Sequence, residues 1–173
     1  MEDFALTICN NINIKPINEP HKILLIERVI FTPHPTTSQP TGSTIRSILN
    51  HKALESTLRS MVKPPFKFHN LQLENLSFKE QVEYFKQAKV VIGQHGAGLV
   101  NCIWMESQSI LIEIGPRFRV EGGSRADHYQ IISKLKKNSY YWYEVYDNHV
   151  EINIEHFKNW ILEKVELREF FEN

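Results

Sequence analysis

The stretch that decides the fold runs from residue 89 to residue 105 and reads Lys-Val-Val-Ile-Gly-Gln-His-Gly-Ala-Gly-Leu-Val-Asn-Cys-Ile-Trp-Met. Its apolar start, Val90–Ile92, predicts a short buried strand, and glycines follow before apolar residues return at helical spacing. A strand, a glycine-rich turn and a helix in this order point the free amides of the first helical turn into a cleft beside the strand ends. We therefore predict an anion-binding site here, with His95 in the middle of the turn.

The glycines of this turn, Gly93, Gly96 and Gly98, have the spacing G-x-x-G-x-G. That spacing matches neither the G-x-G-x-x-G of dinucleotide-binding folds nor a Walker loop, so it supports neither kind of site. Two interpretations stay open. Either the main chain of Gly96, Ala97 and Gly98 holds a ligand, or the glycines only allow tight packing of strand against helix. His95 likewise either reaches the ligand or forms a structural hydrogen bond.

Strands and helices are predicted to alternate on both sides of this stretch. Predicted strands cover residues 22–30, 66–69, 109–114 and 140–145, and predicted helices cover 43–61, 78–87, 126–136 and 154–167. The segments between them, notably 31–44 and 117–124, have the composition of loops. Because the strands are apolar throughout, we predict an α/β fold with a mainly parallel sheet between two layers of helices. The domain spans residues 22–173, and residues 1–21 form an N-terminal lead-in without a clear period.

Polar side chains collect where these strands end. Arg28, His95 and Glu113 each lie near the carboxyl end of a predicted strand, and such ends share one edge of a parallel sheet. Arg46 and Asn50 are spaced i, i+4 on a predicted helix and so share a face, where the guanidinium could bind a diphosphate. Competing interpretations are a buried ion pair between Arg28 and Glu113, and a solvated surface position for Arg46.

The composition excludes several classes of partner and site. Twenty basic and twenty acidic residues leave no net charge, whereas domains that bind nucleic acid usually carry a basic surplus. No run of about 18 apolar residues predicts a membrane span. The first residues lack the pattern of a secretion signal. The two cysteines are too few for a disulfide framework, and the histidines show no metal-ligand spacing, so we expect no metal site.

Four elements of the sequence together resemble one known family. The segment from Gly93 to Asn101, with Trp104-Met105 and the strand up to Ile114, looks like the His-Gly-Ala-Gly-Leu core of the family 61 glycosyltransferases. In register with it are Arg46-Ser47-Ile48-Leu49-Asn50, Leu76-Ser77-Phe78-Lys79-Glu80-Gln81-Val82, and the aromatic pairs His128-Tyr129 and Tyr140-Tyr141. The resemblance covers about residues 22–145. This family includes O-linked N-acetylglucosaminyltransferases and plant β-1,2-xylosyltransferases.

The resemblance implies an inverting transferase of GT-B type, in which two Rossmann-like domains face each other and the C-terminal one binds the nucleotide sugar. This chain would correspond to that C-terminal, donor-binding half. A UDP-linked donor and a glycan or glycoprotein acceptor are expected, without a bound metal or other cofactor. By the match, the donor or phosphate site would contain Arg28, Arg46, Asn50, His95, Gly96, Ala97, Gly98 and Glu113. No catalytic residue is assigned.

Other functions remain open at this stage. A module that binds a nucleotide or nucleotide sugar without turnover, as part of a larger assembly, is the main alternative. A hydrolase or phosphotransferase that uses His95 is another. A chain of 173 residues leaves little room beyond one Rossmann-like half, so we expect the acceptor domain to be missing from it. Eukaryotic relatives act in the secretory lumen and bacterial ones in the cytosol, and the sequence does not choose between them.

Overall fold

The structure is a computed structural model, and it describes residues 2–15, 17, 19–28, 46–116 and 127–172. Its centre is a five-stranded sheet in which each strand runs parallel to its neighbours. The strands are β1 (Lys22–Glu27), β3 (Lys67–Gln72), β4 (Ala88–Gln94), β5 (Ile110–Pro116) and β6 (Ser139–Val145), in the order β3-β1-β4-β5-β6. A separate pair of short parallel strands joins β2 (Ser47–Ile48) to β7 (His149–Val150).

Helices cover both faces of this sheet. They are α1 (Glu2–Asn11), α2 (His51–Met61), α3 (Phe78–Lys86), α4 (His128–Leu135) and α5 (Ile154–Glu163), with 3₁₀ helices at Leu73–Asn75, Ala97–Trp104 and Val165–Glu169. The predicted α/β/α fold with a parallel sheet is therefore confirmed. No helix within the described ranges is long and apolar enough to cross a bilayer.

Alternate residues of the central strands enter two separate cores. Leu25, Ile92 and Ile112 pack against α2 and α5 on one face. Leu24, Val91 and Leu111 pack on the other face against α1, α3, α4 and the 3₁₀ helix Ala97–Trp104. Because both faces are covered, β4 and β5 are apolar almost without interruption, which explains their continuous hydrophobic sequence. Full burial of each such aliphatic side chain contributes roughly 1.5–3 kcal/mol.

The start of α3 follows its local sequence. Ser77 accepts a hydrogen bond from the amide of Glu80, and the Glu80 carboxylate in turn accepts from the amide of Ser77. This capping box satisfies two amides that would otherwise lack partners, and it fixes the beginning of the helix. The spacing predicts that Phe78, Val82 and Phe85 share one face; Val82 and Phe85 are fully buried, whereas 52% of Phe78 is exposed.

The lead-in and the predicted first helix both differ from expectation. Residues 2–11 form α1, whose Ala5 and Cys9 are buried in the second core, so this part of the lead-in packs with the domain. The helix expected from residue 43 begins only at His51. Ser47 and Ile48 instead form β2, because the amides of Ser47 and Leu49 donate to the carbonyls of Asn148 and Val150. Pairing with a distant segment overrides the local helical period here.

The last predicted helix is also shorter than expected. It ends at Glu163, and the chain continues as the 3₁₀ helix Val165–Glu169. The spacing of Phe157, Ile161 and Val165 predicts one helical stripe, and Phe157 and Ile161 are buried, but 78% of Val165 is exposed. The placement of Val165 on that stripe is therefore wrong. Loss of the α-helical pitch after Glu163 turns this side chain away from the core.

Asn50 connects the two halves of the chain. Its Nδ2 donates to the carbonyl oxygen of Ile152 over 2.8 Å, and the Ile152 amide donates to its Oδ1 over 2.9 Å. Only 3% of Ile152 is exposed, so water cannot easily replace these hydrogen bonds. The side chain of Asn50 therefore holds the segment after β7 against the start of α2.

We expect Asn50→Ala to lower the free energy of unfolding by about 1–3 kcal/mol, because it leaves a buried peptide group without either hydrogen bond. Urea denaturation would measure the loss. Asn159→Ala, at an exposed position of α5, is the matched control and should leave stability nearly unchanged. Equal effects of the two substitutions would contradict this structural role of Asn50.

Candidate functional site

The turn between β4 and the 3₁₀ helix Ala97–Trp104 is closely packed by the protein's own side chains. A Cβ atom at Gly93 would lie 2.8 Å from Cδ2 of Leu99, and one at Gly98 would lie 3.0 Å from Cδ1 of Leu73. The amide of Leu99 donates to the carbonyl of Gly96 over 2.9 Å. Glycine therefore permits close packing of β4 against the following helix at Gly93, and of that helix against Leu73 at Gly98. This agrees with the packing interpretation, and binding of a ligand by the main chain of the turn stays a prediction.

Two side chains hold the middle of the turn. Nη1 of Arg28 donates to the carbonyl of His95 over 3.1 Å, and the hydroxyl of Tyr129 donates to the carbonyl of Gly96 over 2.7 Å. A Cβ atom at Gly96 would overlap Nη1 of Arg28. Glycine at this position thus lets a guanidinium lie directly against the main chain. Ala97, the next residue, is exposed at the same edge of the sheet.

A buried carboxylate orients the histidine of the turn. Nδ1 of His95 forms a short contact with Oε1 of Glu113, and the hydroxyl of Tyr140 donates to Oε2 over 2.7 Å. Only 1% of the Glu113 side chain is exposed, against 13% of the His95 side chain. The rings of Tyr129 and Trp142 flank the imidazole, with centroids 5.6 Å and 6.4 Å away. A histidine whose Nδ1 is held by a carboxylate is the usual arrangement of a general base.

The ion pair between Arg28 and Glu113, a competing interpretation of the sequence, is not formed. Glu113 contacts His95 and Tyr140, whereas Arg28 contacts the carbonyl of His95. The two charged side chains therefore approach the same residue from different sides, one at its ring and the other at its main chain.

Positive charge is concentrated beside the turn. Burial lowers the pKa of the Arg28 guanidinium, and the nearby charge of Arg46 lowers that pKa further, while Tyr129 and Glu74 raise it. An arginine stays protonated despite such shifts, so two like charges lie close together here. A bound anion would relieve this repulsion, and a diphosphate offers several oxygens to two guanidinium groups.

Tyr129 remains a hydrogen-bond donor in this site. Burial raises the pKa of its hydroxyl, and the charge of Glu113 raises it further, with Arg28 and Arg46 acting in the opposite direction. The protonated hydroxyl can thus hold the Gly96 carbonyl over the ordinary range of pH.

The structure brings most of the predicted site residues together. Arg28, His95, Gly96 and Glu113 are linked through the contacts described above, and Arg46 lies near enough to act on the charge of Arg28. Ala97 and Gly98 begin the adjoining 3₁₀ helix. Asn50 differs, because both ends of its amide bind Ile152 and it shares no helical face with Arg46. The predicted loops 31–44 and 117–124, which follow β1 and β5, lie outside the described residues.

Comparison with known proteins gives the family. The family model for glycosyltransferase 61 matches residues 2–112, which is more than half of the chain. The chain belongs to the glycosyltransferase 61 family. It is therefore assigned in general terms to the glycosyltransferases. No curated protein matches the sequence.

The family 61 match includes the arginines and the glycine turn but ends one residue before Glu113. The residues that complete the site, Tyr129, Tyr140 and Trp142, were not predicted as site residues. The sequence could have indicated two of them, because Tyr140 and Trp142 are two residues apart in β6 and therefore lie on the same face of the strand. In the β5–β6 register, Tyr140 lies opposite Leu111 and Trp142 opposite Glu113. Only the strand order, which periodicity does not reveal, shows that this face adjoins the site.

The described part of this family 61 chain also contains no group of three His, Cys, Asp or Glu side chains arranged to hold a metal ion. Arg28 and Arg46 carry positive charge at the candidate site.

We expect Tyr140→Phe to lower the free energy of unfolding by about 1.5–3 kcal/mol, because the buried Glu113 carboxylate loses a hydrogen bond that water cannot replace. Urea denaturation of the two proteins would measure the difference. The control is Tyr84→Phe on α3, which removes a hydroxyl from a partly buried ring that packs beside the same core. A loss no greater than that of the control would contradict the proposed support of Glu113.

Proposed function

We propose that the chain binds a nucleotide-sugar donor, expected to be UDP-linked, and takes part in transfer of the sugar to a glycan or glycoprotein acceptor with inversion at the anomeric carbon. Within a GT-B arrangement it would form the C-terminal, donor-binding half. The observation that carries this proposal is a histidine that is held by a buried carboxylate and whose carbonyl oxygen accepts a hydrogen bond from Arg28. Arg46 lies near enough for its charge to lower the pKa of Arg28. Membership of the glycosyltransferase 61 family supports the reaction class.

The arginines fit the donor's diphosphate. Arg28 donates one of its five N–H groups to the carbonyl of His95, and this hydrogen bond positions the guanidinium. Its remaining N–H groups are of the type that binds phosphate oxygens. Arg46 adds a second charge close by. Negative charge grows on the diphosphate as the bond to the sugar breaks, so fixed cations at this point stabilise the transition state more than the ground state.

His95 fits the role of general base. In an inverting transfer, an acceptor hydroxyl oxygen forms a bond to the anomeric carbon while the bond from that carbon to the diphosphate oxygen breaks. The electron pair leaves with the nucleoside diphosphate, and the hydroxyl proton must be removed. Glu113 holds Nδ1 of His95, so Nε2 is the ring nitrogen that would take this proton. The carboxylate would then stabilise the imidazolium that results.

Donor binding is tested by calorimetric titration with UDP and a series of UDP-sugars. Arg28→Ala and Arg46→Ala should each weaken UDP affinity by about 1.5–3 kcal/mol, the cost of hydrogen bonds to a charged group. Arg59→Ala is the control, because Arg59 is an exposed residue of α2 that pairs with Glu55 away from the site. Unchanged affinity in both site variants, with intact folding, would refute the assignment of these arginines.

Catalysis is tested separately through His95. We expect His95→Gln and Glu113→Gln to lower sugar transfer or donor turnover by roughly 10²- to 10⁴-fold, the usual contribution of a general base. Their affinity for UDP should change little, because in this proposal the imidazole and the carboxylate act on the acceptor hydroxyl and the arginines bind the phosphates. His21→Gln, just before β1 at the opposite edge of the sheet, is the control. Donor binding by the wild-type chain without any turnover would instead favour a non-catalytic nucleotide-sugar-binding module.

A further inference from the structure

A cavity opens at the same edge of the sheet, beyond the end of β6. It has a volume of about 710 Å³, within the range of small-molecule sites, and it lies between β6, β7 and the beginning of α5. We call it the β6–α5 groove. Its floor includes Val145 and Ile152, which are buried, and Asn153 stands at its side, where it caps α5. Nothing in the proposed donor site uses this groove.

Charge in the β6–α5 groove is opposite to that of the proposed donor site. Three carboxylates, Glu144, Asp147 and Glu151, belong to its lining, and no lysine or arginine is among its described lining residues. Acidic walls repel phosphate, so the groove does not suit the diphosphate of a donor. Carboxylates do accept hydrogen bonds readily from hydroxyl groups.

Aromatic side chains form the remaining walls. Trp142 and Trp160 line the groove, and Tyr146 stands at its rim with 99% of its surface exposed. One face of Trp160 is already covered by Lys164, so this ring acts mainly as a wall. Tyrosine and tryptophan suit ligands with an apolar side and a polar edge, since each ring has both. A pyranose has this character, with C–H groups on its faces and hydroxyl groups around its rim.

The groove also adjoins the candidate general base. Trp142 belongs to its lining, and the centroid of that ring lies 6.4 Å from the imidazole of His95. Trp142 is therefore common to the lining of the groove and to the surroundings of the candidate base. The donor's phosphates would lie on the other side of His95, where Arg28 contacts its carbonyl.

We propose that the β6–α5 groove binds the carbohydrate acceptor, so that this chain contains part of the acceptor site as well as the donor site. The assignment of the bound sugar as an acceptor rests on the proposed transferase function. The binding of a neutral carbohydrate rests on the groove itself. The described lining of the groove contains aromatic residues and carboxylates and no lysine or arginine, which suits a neutral carbohydrate. Trp142 belongs to this lining and also lies beside His95.

The test uses the full chain and measures binding of short neutral oligosaccharides built from glucose, xylose, mannose or N-acetylglucosamine, by NMR titration without nucleotide. Wild type should bind at least one of them. Glu151→Gln should weaken that binding about tenfold, the loss of a charge-assisted hydrogen bond, and Tyr146→Ala should weaken it severalfold. Glu155→Gln, at an exposed position of α5 outside the lining, is the matched control and should bind like wild type.

UDP titration of the same variants separates this inference from the donor proposal. Unchanged UDP affinity in Glu151→Gln and Tyr146→Ala, together with weakened oligosaccharide binding, supports an acceptor groove. Oligosaccharide binding by a chain that fails to bind UDP would keep the carbohydrate groove and refute the donor proposal. No oligosaccharide binding by wild type, equal binding by wild type and both groove variants, or loss of UDP affinity in those variants would overturn the inference.

Discussion

The parallel register of β4 and β5 is the constraint on which the site depends. It places Gly93 opposite Glu113, and the amide of His95 donates to the carbonyl of Ile114 over 2.7 Å. The imidazole and the carboxylate therefore meet because two buried strands are paired in one register only. A shift by one residue would move Glu113 to the other face of the sheet and separate it from His95. The apolar strands thus hold the polar groups in place although they contribute none of the chemistry.

Burial of Glu113 destabilises the folded state, because almost none of its carboxylate is exposed to water. Its two oxygens are satisfied by His95 and Tyr140, which offsets the loss of hydration. An apolar residue of similar size would fit the strand with fewer requirements. The carboxylate fixes the orientation of the imidazole ring and favours one of its tautomers. Trp142 then connects this pair to the β6–α5 groove.

Much of the fold follows from the sequence, whereas the site follows only in part. Continuous apolar strands separated by helices predicted the parallel sheet, and the residues at the strand ends predicted Arg28, His95 and Glu113 correctly as neighbours. The helix expected across Arg46 and Asn50 was wrong, because β2 forms by pairing with a segment about a hundred residues later, beyond the reach of local periodicity. Hydrogen bonds from tyrosines on α4 and β6 could not be predicted for the same reason, since they depend on which elements become neighbours.

The β2–β7 pair gives this chain an order of assembly. Arg46 directly precedes β2, and β2 pairs with β7. The two segments are far apart in sequence, since Asn50 and Ile152, which join them, are separated by 102 residues. Contacts so distant along a chain have a large entropic cost of loop closure, which favours their formation after the local elements. The guanidinium of Arg46 therefore takes its position only when the C-terminal segment has docked. Under the proposed donor assignment, binding of the diphosphate would thus require the complete native state, because a partly folded chain would have the glycine turn without Arg46 beside it.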